Sequence, residues 1–456
     1  MQLPEAFIER MRSELGVEEA ERLCEALATE PSTAVRLNPH KMSTPPWAAD
    51  AVPWSEWGYT LRERPSFTLD PAFHAGAYYV QEASSQFAGY IMKQAVGGEC
   101  DGLRVLDVCA APGGKSTHYA SLVGERGLVV ANEINRSRAA VLADNARKWG
   151  LGNMVVTCND SAHLADFEQW FDVVAVDAPC SGEGMFRKLD EAREQWSEAN
   201  VRMCAERQWE IVQNAFEALR PGGVLIYSTC TFNREEDEYL VQRMCQEWGD
   251  QLEAVTDVVL SEEWGVVAAR EGVFQTFRFF PHRVKGEGMF MAVARKGGIP
   301  SSRRRAPKAR REVITAVDKR STQELSRWVV SPEQMRFFMA GEMIYACREE
   351  HFDEIKALSS RLAVIYSGVA VGQIFKNKLK PDGALAFYVR LNRDAVAASE
   401  LSHEEALQFL RKQDMDATPF AEGVNMVLYE GHPLGFVKRV GARVNNMYPN
   451  SLRILK

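Results

Sequence analysis

The amino-acid sequence predicts an α/β fold in which a mostly parallel sheet carries helices on both faces. Short apolar runs, each typical of a strand buried on both faces, alternate with helical segments between residues 103 and 248. This alternation is the pattern of the βα units that build a parallel sheet. The first run also breaks into the residues CAAPGG before a helix begins. A strand, a glycine-rich turn and a helix form the first unit of a doubly wound sheet.

The same pattern places the elements of this sheet in order. Strands are predicted at 103–110, 127–133, 154–160, 171–177 and 224–230, and two more near 273–280 and 289–294 bring the sheet to seven. Helices are predicted at 81–92, 115–122, 136–149, 201–219 and 235–248. We expect the loops at the carboxyl ends of the strands to build the functional site.

Residues 1–70 are predicted to form a small N-terminal module. Amphipathic helices are expected at 5–15 and 17–27, and an extended segment at 32–39 contains Arg36 and Asn38. The aromatic residues that follow are Trp47, Trp54, Trp57 and Tyr59. A basic residue and an amide beside aromatic rings are able to contact RNA, but the sequence favours ordinary strand and core roles for them.

The composition indicates an ordinary globular chain of two to four domains. Its 456 residues are 46% hydrophobic and 25% charged, and no stretch approaches the ~20 apolar residues of a membrane-spanning helix. The first residues carry acids early and lack the apolar core of a signal peptide. The nine cysteines include no metal-type C-x-x-C pair, which fits a reducing cytoplasm and predicts no metal site.

The charge distribution allows binding to a polyanion only locally. The net charge of −8 argues against a basic surface over the whole protein. Basic residues cluster after the last predicted strand and near the carboxyl end of the chain: Arg303, Arg304, Arg305, Lys308, Arg310 and Arg311, then Lys438, Arg439, Arg443, Arg453 and Lys456. Charge alone supports RNA contact and a solvated linker and tail about equally.

The turn at 109–115 is the first candidate ligand site, because glycines let the backbone approach a ligand closely. A phosphate-binding loop requires G-x-x-x-x-G-K-[ST], but Cys109 occupies the position of its first glycine, and the dinucleotide pattern G-x-G-x-x-G is absent here. S-adenosylmethionine has no phosphate and needs a close backbone and a carboxylate for its ribose, so it fits better. A plain turn without a ligand is the main alternative.

Carboxylates end three of the predicted strands. Glu133 follows the turn by about 20 residues, the spacing at which a carboxylate reaches a ribose hydroxyl. Asp160, one strand further, is placed to accept a hydrogen bond from an adenine amino group, and its alternative role is to cap the next helix. Asp177 ends the fourth strand.

Two cysteines end adjacent predicted strands, so both thiols should open into one pocket. No histidine neighbours Cys180 or Cys230 in sequence, so a protease-like Cys/His pair has no local support. A thiol can instead add to position 6 of a cytosine, which makes C5 nucleophilic enough to take a methyl group from a sulfonium. Asp177 stands at the strand end where a carboxyl group would stabilise the adduct near N3. Two buried structural cysteines are the alternative.

Together these residues resemble the RNA cytosine-5 methyltransferases of the Fmu/Sun type. The resemblance is carried by DVCAAPGGKS (107–116), VDAPCSGEGMFRK (176–188), YSTCTFNREEDE (227–238) and the acids at strand ends. RFFPHRVKGEGMF (278–290) resembles the closing strand pair of that family. GHPLGFVKRVGARVNNMYP (431–449) resembles the tail of its bacterial RsmF branch, whose members methylate small-subunit ribosomal RNA and end in a PUA-like module.

The resemblance implies a Rossmann-like class I methyltransferase domain with a mostly parallel seven-stranded sheet. It also implies a small N-terminal module and C-terminal α+β and β modules that bind RNA, the last of them PUA-like. The implied boundaries are 1–70 for the N-terminal module, 71–296 for the methyltransferase domain, 297–325 for a basic linker, 326–400 for the first C-terminal domain and 401–456 for the PUA-like domain.

The resemblance also implies roles for individual residues. Cys230 would be the nucleophile, Cys180 would assist product release and Asp177 would contact the cytosine. Chemistry alone leaves the cysteines unranked, because DNA cytosine-5 enzymes use the cysteine of the PC motif. The implied S-adenosylmethionine site comprises Cys109, Ala110, Ala111, Pro112, Gly113, Gly114, Lys115, Glu133, Arg138, Asp160 and Asp177. Arg138 is the weakest of these, because a solvated helix face would also explain it.

The implied activity is methylation of C5 of cytosine in 16S ribosomal RNA through a covalent cysteine–C6 intermediate. The expected partner is 16S rRNA or the small ribosomal subunit, with no metal and no membrane, and the protein is expected to be a cytoplasmic monomer. A transfer-RNA methyltransferase of the same chemistry is one alternative. A catalytically silent RNA-binding factor for ribosome assembly is another, although the presence of both Cys180 and Cys230 weakens it.

Overall fold

The N-terminal module packs a helical hairpin and a small sheet against the rest of the chain. The computed structural model describes residues 3–299, 307–308 and 310–455. The first elements are α1 (Glu5–Leu15), α2 (Val17–Leu27), β1 (Thr33–Leu37), β2 (Ala49–Ala51), β3 (Gly58–Leu61), α3 (Pro71–His74) and β4 (Tyr78–Val80). The four strands form an antiparallel sheet in the order β2-β3-β1-β4. Both helices begin and end at the predicted residues.

The predicted βα units follow. They are α4 (Ala83–Ala95), β5 (Arg104–Asp107), α5 (Gly114–Leu122), β6 (Leu128–Asn132), α6 (Arg136–Trp149), β7 (Met154–Thr157), β8 (Phe171–Asp177), α7 (Asp190–Gln195), α8 (Glu198–Ala218), β9 (Leu219–Thr229), α9 (Glu238–Trp248), β10 (Leu252–Glu253), β11 (Val267–Glu271), β12 (Phe274–Phe279) and β13 (Met289–Lys296). Residues 220–223, between the predicted helix 201–219 and the predicted strand 224–230, lie within β9.

These strands build a mixed sheet with a parallel centre, and the predicted Rossmann-like fold class is confirmed. Five neighbouring strands, in the order β9-β8-β5-β6-β7, pair in parallel, and β13 and β12 complete the predicted seven in antiparallel pairings. Three further strands enlarge the sheet to ten: β10 pairs with β13, β11 pairs with β12, and a strand from the C-terminal region pairs with β7. Strands β5, β6 and β7 are buried along their whole length, as the apolar runs predict.

The first C-terminal region forms its own five-stranded sheet and also reaches the central one. Its elements are β14 (Ile314–Ala316), α10 (Lys319–Ser326), β15 (Met335–Ala340), β16 (Met343–Arg348), α11 (Phe352–Arg361), β17 (Val364–Ser367), β18 (Val369–Phe375), β19 (Lys378–Pro381) and α12 (Gly383–Phe387). The sheet order is β14-β15-β16-β18-β19, while β17 pairs antiparallel with β7. Part of the predicted linker 297–325 therefore forms β14 and all but the last residue of α10. The domain boundaries stay a prediction.

The last region is a small β module. It comprises β20 (Ala397–Glu400), α13 (His403–Leu410), β21 (Gly423–Tyr429), β22 (His432–Val440) and β23 (Arg443–Asn446). Strand β20 pairs in parallel with β21, and the other pairings are antiparallel. A capping box between Ser402 and Glu405 begins α13. The short strands and turns agree with the module predicted for this part of the chain.

Arg36 and Asn38 have the structural roles that the sequence favoured. Both are fully buried. The Asn38 amide donates to the backbone oxygens of Gly76 and Trp149, and the Arg36 guanidinium lies 4.5 Å from the centre of the Trp149 ring. They therefore join the N-terminal module to the central domain.

Candidate functional site

The turn between β5 and α5 reverses the chain at Gly113. This glycine has φ +114°, in the left-handed region that side chains other than glycine rarely adopt. A Cβ atom at this position would lie 3.0 Å from Leu142 Cδ1 of α6, so the leucine side chain would have to shift by a few tenths of an ångström to admit a larger residue. The backbone N–H groups at the start of α5 consequently face the space beyond the carboxyl ends of the strands.

The N-terminal module fixes this turn through Arg36. The guanidinium Nη2 donates to the Gly114 oxygen at 3.0 Å and to Thr117 Oγ1 at 2.7 Å, and Nε donates to Gln81 Oε1 at 2.7 Å. Burial lowers the pKa of Arg36 to about 9, which leaves the side chain charged at neutral pH.

Replacing Arg36 by methionine is expected to lower the free energy of unfolding by about 1–3 kcal/mol, because the buried acceptors at Gly114 and Gln81 lose their donor. Urea unfolding at equilibrium measures the change. Arg62→Met removes an exposed ion pair with Asp50 from the same module and should cost less than about 1 kcal/mol. Equal losses in the two variants would contradict the anchoring role of Arg36.

Glu133 and Arg138 lie beside the turn and contact each other. The Glu133 side chain is buried, accepts a hydrogen bond from the Asn135 N–H at 2.9 Å and forms an ion pair with Arg138 at 3.3 Å. Arg138 Nη2 also donates to the Ala111 oxygen at 2.9 Å. Arg138 is therefore attached to the turn and to the carboxylate, which a plain solvated helix face would not require.

Asp160 has the alternative role that the sequence analysis considered. Its Oδ1 accepts a hydrogen bond from the Ala162 N–H at 2.9 Å and caps the short helix after β7. The residue is exposed and also lines the cavity described below. Its second carboxylate oxygen is thus available for a ligand while the first caps the helix.

Lys115 and Asp177 connect the turn to the end of β8. Lys115 Nζ lies 2.8 Å from Asp177 Oδ2, and Ser228 Oγ donates to Asp177 Oδ1 at 2.8 Å. Burial is the largest single influence and disfavours the charged ammonium, but the charge of Asp177, the hydrogen bond to it and the charges of Glu82 and Asp107 together raise the pKa of Lys115. The pair therefore places a lysine cation and a carboxylate side by side within the site.

The thiols of Cys180 and Cys230 are in contact. Their Sγ atoms lie 3.0 Å apart, both residues are free cysteines, and the Cys230 N–H donates to Cys180 Sγ at 3.3 Å. The hydrogen bond with Cys230, followed by burial, raises the pKa of the Cys180 thiol well above its usual range. Cys180 consequently keeps its proton and can donate it in a hydrogen bond to Cys230 Sγ.

Two buried glutamates hold the loops that carry these thiols. Glu236 accepts from the Ser181 N–H at 3.0 Å and from Gln208 Nε2 at 2.7 Å, so it holds the Cys180 loop. Glu183, in turn, accepts from the N–H groups of Phe232 and Asn233 at 2.8 and 3.0 Å, so it holds the Cys230 loop. Each cysteine loop thus supplies the acceptor that orders the other.

These residues surround a single cavity of about 920 Å³. Its lining includes every predicted site residue except Gly113: Cys109, Ala110, Ala111, Pro112, Gly114, Lys115, Glu133, Arg138, Asp160, Asp177, Cys180 and Cys230. Gly113 does not line the cavity, but its left-handed backbone conformation forms the turn. Burial raises the pKa of the Cys109 thiol, which favours its protonated form. Within the described residues no cluster of potential metal ligands occurs.

Asp107 also lines this cavity but was absent from the predicted site. It ends β5 and accepts a hydrogen bond from Ser116 Oγ at 2.6 Å, while its buried Oδ1 has no hydrogen-bond partner among the described residues. Burial raises the pKa of Asp107 to about 7. The predicted strand 103–110 placed Asp107 inside the strand, whereas the observed strand ends at Asp107, so the strand-end signal that identified Glu133 did not point to it.

Family models match three parts of the chain. "16S rRNA methyltransferase RsmB/F" matches residues 99–295, "N-terminal domain of 16S rRNA methyltransferase RsmF" matches 3–83 and "Methyltransferase RsmF PUA domain" matches 397–454. Ribosomal RNA small subunit methyltransferase F of Erwinia tasmaniensis is 30% identical over 98% of this chain and 96% of its own length. The protein of the same name from Aeromonas salmonicida is 32% identical over 89% of this chain and 86% of its own length.

Solved structures agree on the fold. A methyltransferase homologue from Pyrococcus horikoshii is 26% identical with a TM-score of 0.54, and the match covers 64% of this chain and 95% of that one. NSun6 from the same organism, solved with SFG, is 21% identical with a TM-score of 0.54 over 65% of this chain and 99% of that one. The matched relatives and the three family models together show that this chain belongs to the RsmF family of ribosomal RNA methyltransferases.

Proposed function

We propose that this ribosomal RNA methyltransferase transfers a methyl group from S-adenosylmethionine to C5 of a cytosine in 16S rRNA, through a covalent bond between Cys230 Sγ and C6 of the base. The single observation that carries the mechanism is the contact of two thiols, 3.0 Å apart, in the cavity that the glycine-rich turn also lines. A cavity of this size is in the range that accepts a cofactor-sized ligand.

The residues around the turn suit S-adenosylmethionine. The buried Oδ1 of Asp107 has no hydrogen-bond partner among the described residues and can accept one from a bound ligand, and the turn offers backbone N–H groups rather than a phosphate-binding cradle. Glu133 would bind the ribose hydroxyls, Asp160 the adenine amino group, and Arg138 and Asp177 would lie beside the donor. The bound donor supplies an electrophilic methyl group on a sulfonium centre.

The chain's own groups account for the remaining chemistry. Cys230 Sγ accepts a hydrogen bond from Cys180 and forms the bond to C6 while its proton passes to N3 of the base, so C5 becomes nucleophilic and takes the methyl group. The carboxylate of Asp177 stabilises positive charge at N3 of the adduct, and Lys115 holds this carboxylate in place. A water molecule then accepts the C5 proton, the electron pair of the C5–H bond re-forms the C5=C6 double bond, and the C6–S bond breaks with the electrons returning to Cys230 Sγ. We assign to the protonated Cys180 thiol the role of donating a hydrogen bond to the departing Sγ and so assisting product release.

RNA recognition involves the regions outside the central domain. A cytosine must leave any base stack to enter the cavity, so locally opened RNA or a flipped base is expected. Lys438 and Arg443 are exposed on the PUA-type module and offer phosphate contacts. In the other predicted cluster, Arg310 forms an ion pair with Asp166 at 2.9 Å, while Arg303, Arg304 and Arg305 lie outside the described residues. None of the described helices is long and apolar enough to cross a membrane.

Replacing Glu133 by glutamine is expected to weaken binding of S-adenosylmethionine about 10- to 150-fold, because a hydrogen bond to a charged acceptor contributes about 1.5–3 kcal/mol. Isothermal titration calorimetry without RNA measures the change in Kd. Glu210→Gln is the control, since Glu210 is exposed and lines the cavity on α8, away from the turn. An unchanged Kd for Glu133→Gln would remove Glu133 from the donor site.

Methyl transfer from labelled S-adenosylmethionine to naked 16S rRNA, assembled small subunits and bulk tRNA tests the function as a whole. We expect label in a ribosomal substrate for the wild type and none for Cys230→Ala. Label only in tRNA would keep the chemistry and overturn the proposed substrate. No label anywhere, despite binding of the donor by the wild type, would point to a silent RNA-binding factor.

A further inference from the structure

A second cavity lies between the N-terminal module and the central domain. Its volume is about 220 Å³, smaller than a typical site for a drug-sized ligand. The walls come from the loop between β2 and β3 and from α4 and α5: Pro53, Trp54, Ser55, Glu56, Trp57, Gly89, Tyr90, Lys93, Gln94, His118 and Leu122. We call it the aromatic pocket. None of the proposed catalytic or donor-binding residues belongs to it.

The aromatic pocket combines accessible ring surface with buried polar side chains among its lining residues. Trp57 and Tyr90 are half-buried, so part of each ring is accessible. His118 is 4% exposed and its Nδ1 has no hydrogen-bond partner within the described part of the chain. Ser55 is 9% exposed and its Oγ is likewise without a partner there. Unsatisfied buried groups of this kind are costly and are normally explained by a ligand or an ordered water.

The position of His118 depends on Gly89. A Cβ atom at Gly89 would lie 2.2 Å from the imidazole, so the absence of a side chain on α4 makes room for the ring at the base of the pocket. The Trp57 ring stands edge to face against the imidazole, with 6.0 Å between ring centres. Burial lowers the pKa of His118 well below its usual range, so the imidazole is neutral and offers one donor and one acceptor.

The two cavities share the helices α4 and α5. Ser85 of α4 and Glu82, which caps this helix, line the catalytic cavity, whereas Tyr90 and Lys93 of α4 line the aromatic pocket. With a rise of ~1.5 Å per residue, Ser85 and Lys93 are about 12 Å apart along α4. Lys93, paired with Glu56 at the rim, supplies a cation for a phosphate that enters with a ligand.

We propose that the aromatic pocket binds an unpaired nucleobase of the substrate RNA, separate from the target cytosine. The proposal rests on RNA being the substrate. A base would stack on Trp57 or Tyr90 and direct its hydrogen-bonding edge towards His118 and Ser55, which is how proteins commonly hold single-stranded bases. The protein would then hold two bases of one RNA strand, one in each cavity, about 12 Å apart along α4. The base in the aromatic pocket would orient the target cytosine for entry into the catalytic cavity.

Trp57→Leu should raise KM for 16S rRNA about 5- to 150-fold, the range expected when one stacked base is lost, and leave kcat and the Kd for S-adenosylmethionine within about twofold. Trp57→Phe should largely restore KM. Trp47→Leu is the matched control, because Trp47 is a half-buried tryptophan of the same module outside the pocket. Thermal unfolding of all three variants separates loss of stability from loss of binding. An unchanged KM for Trp57→Leu, or an equal rise for Trp47→Leu, would overturn the proposal.

Photocrosslinking of 16S rRNA that carries 4-thiouridine tests the contact directly. We expect crosslinked peptides containing Trp57 or Tyr90, and crosslinks confined to other surfaces would overturn the proposal. The crosslink does not require methyl transfer. A wild type that crosslinks through the pocket but transfers no methyl group would therefore contradict the proposed function and leave the pocket assignment standing.

Discussion

Replacing Cys180 by alanine is expected to trap a covalent complex between the protein and its RNA. With the release step slowed, the bond from Cys230 Sγ to C6 should persist after methyl transfer. Denaturing gel electrophoresis with labelled RNA would show a shifted band that requires S-adenosylmethionine. Turnover should fall below detection, because the product no longer leaves the enzyme.

Cys230→Ala is expected to give neither a shifted band nor turnover, because the attacking atom is gone. The double replacement of both cysteines should behave in the same way. Cys245→Ala serves as the control, since this half-buried cysteine on α9 lies outside the cavity. Its replacement should leave both turnover and the gel pattern as in the wild type. A crosslink in Cys230→Ala that is lost in Cys180→Ala would reverse the two roles.

Replacing Asp177 by asparagine is expected to lower kcat about 10²- to 10⁴-fold, the usual size of a positioned acid or base contribution. The amide keeps the shape of the side chain but removes the charge that the protonated base needs. It also leaves the buried Lys115 ammonium without its carboxylate at 2.8 Å. Single-turnover methylation at saturating RNA measures the effect on the chemical step.

Ser228→Ala is the graded control for Asp177. It removes the 2.8 Å hydrogen bond to Asp177 Oδ1 but leaves the charge, so kcat should fall only about 2- to 12-fold. Titration of S-adenosylmethionine in both variants shows whether Asp177 also contributes to donor binding. If Asp177→Asn and Ser228→Ala had similar kcat values, the charge of Asp177 would have no catalytic role.

The sequence predicted helices and strands well wherever the apolar pattern of a segment is continuous. The helices α1, α2 and α6 and the strand β8 lie at the predicted residues, since their apolar periodicity is uninterrupted. The relatives confirm the RNA methyltransferase family that the motifs around the turn and the cysteines indicated. The roles of the individual site residues stay predictions that the experiments above would test.

What the sequence could not predict depends on contacts between distant segments. No single motif predicts the 3.0 Å contact of the two thiols. Nor does a single motif predict that Glu236 accepts a hydrogen bond from the Cys180 loop while Glu183 accepts one from the Cys230 loop. Arg36 donates to the backbone oxygen of Gly114 in the turn, and these two residues are 78 positions apart in the sequence. Ser55, Trp57 and His118 meet only after the N-terminal module has folded against α4 and α5.

The pairing of β17 with β7 has a consequence for solubility. Strand β7 contributes Met154, Val155 and Val156 and would be an edge strand of the catalytic sheet without this partner. An uncovered apolar edge is a template for pairing with other chains. A chain that ended after β13 would lose this cover and self-associate through β7. The C-terminal region thus covers an edge of the catalytic sheet that a chain ending after β13 would expose.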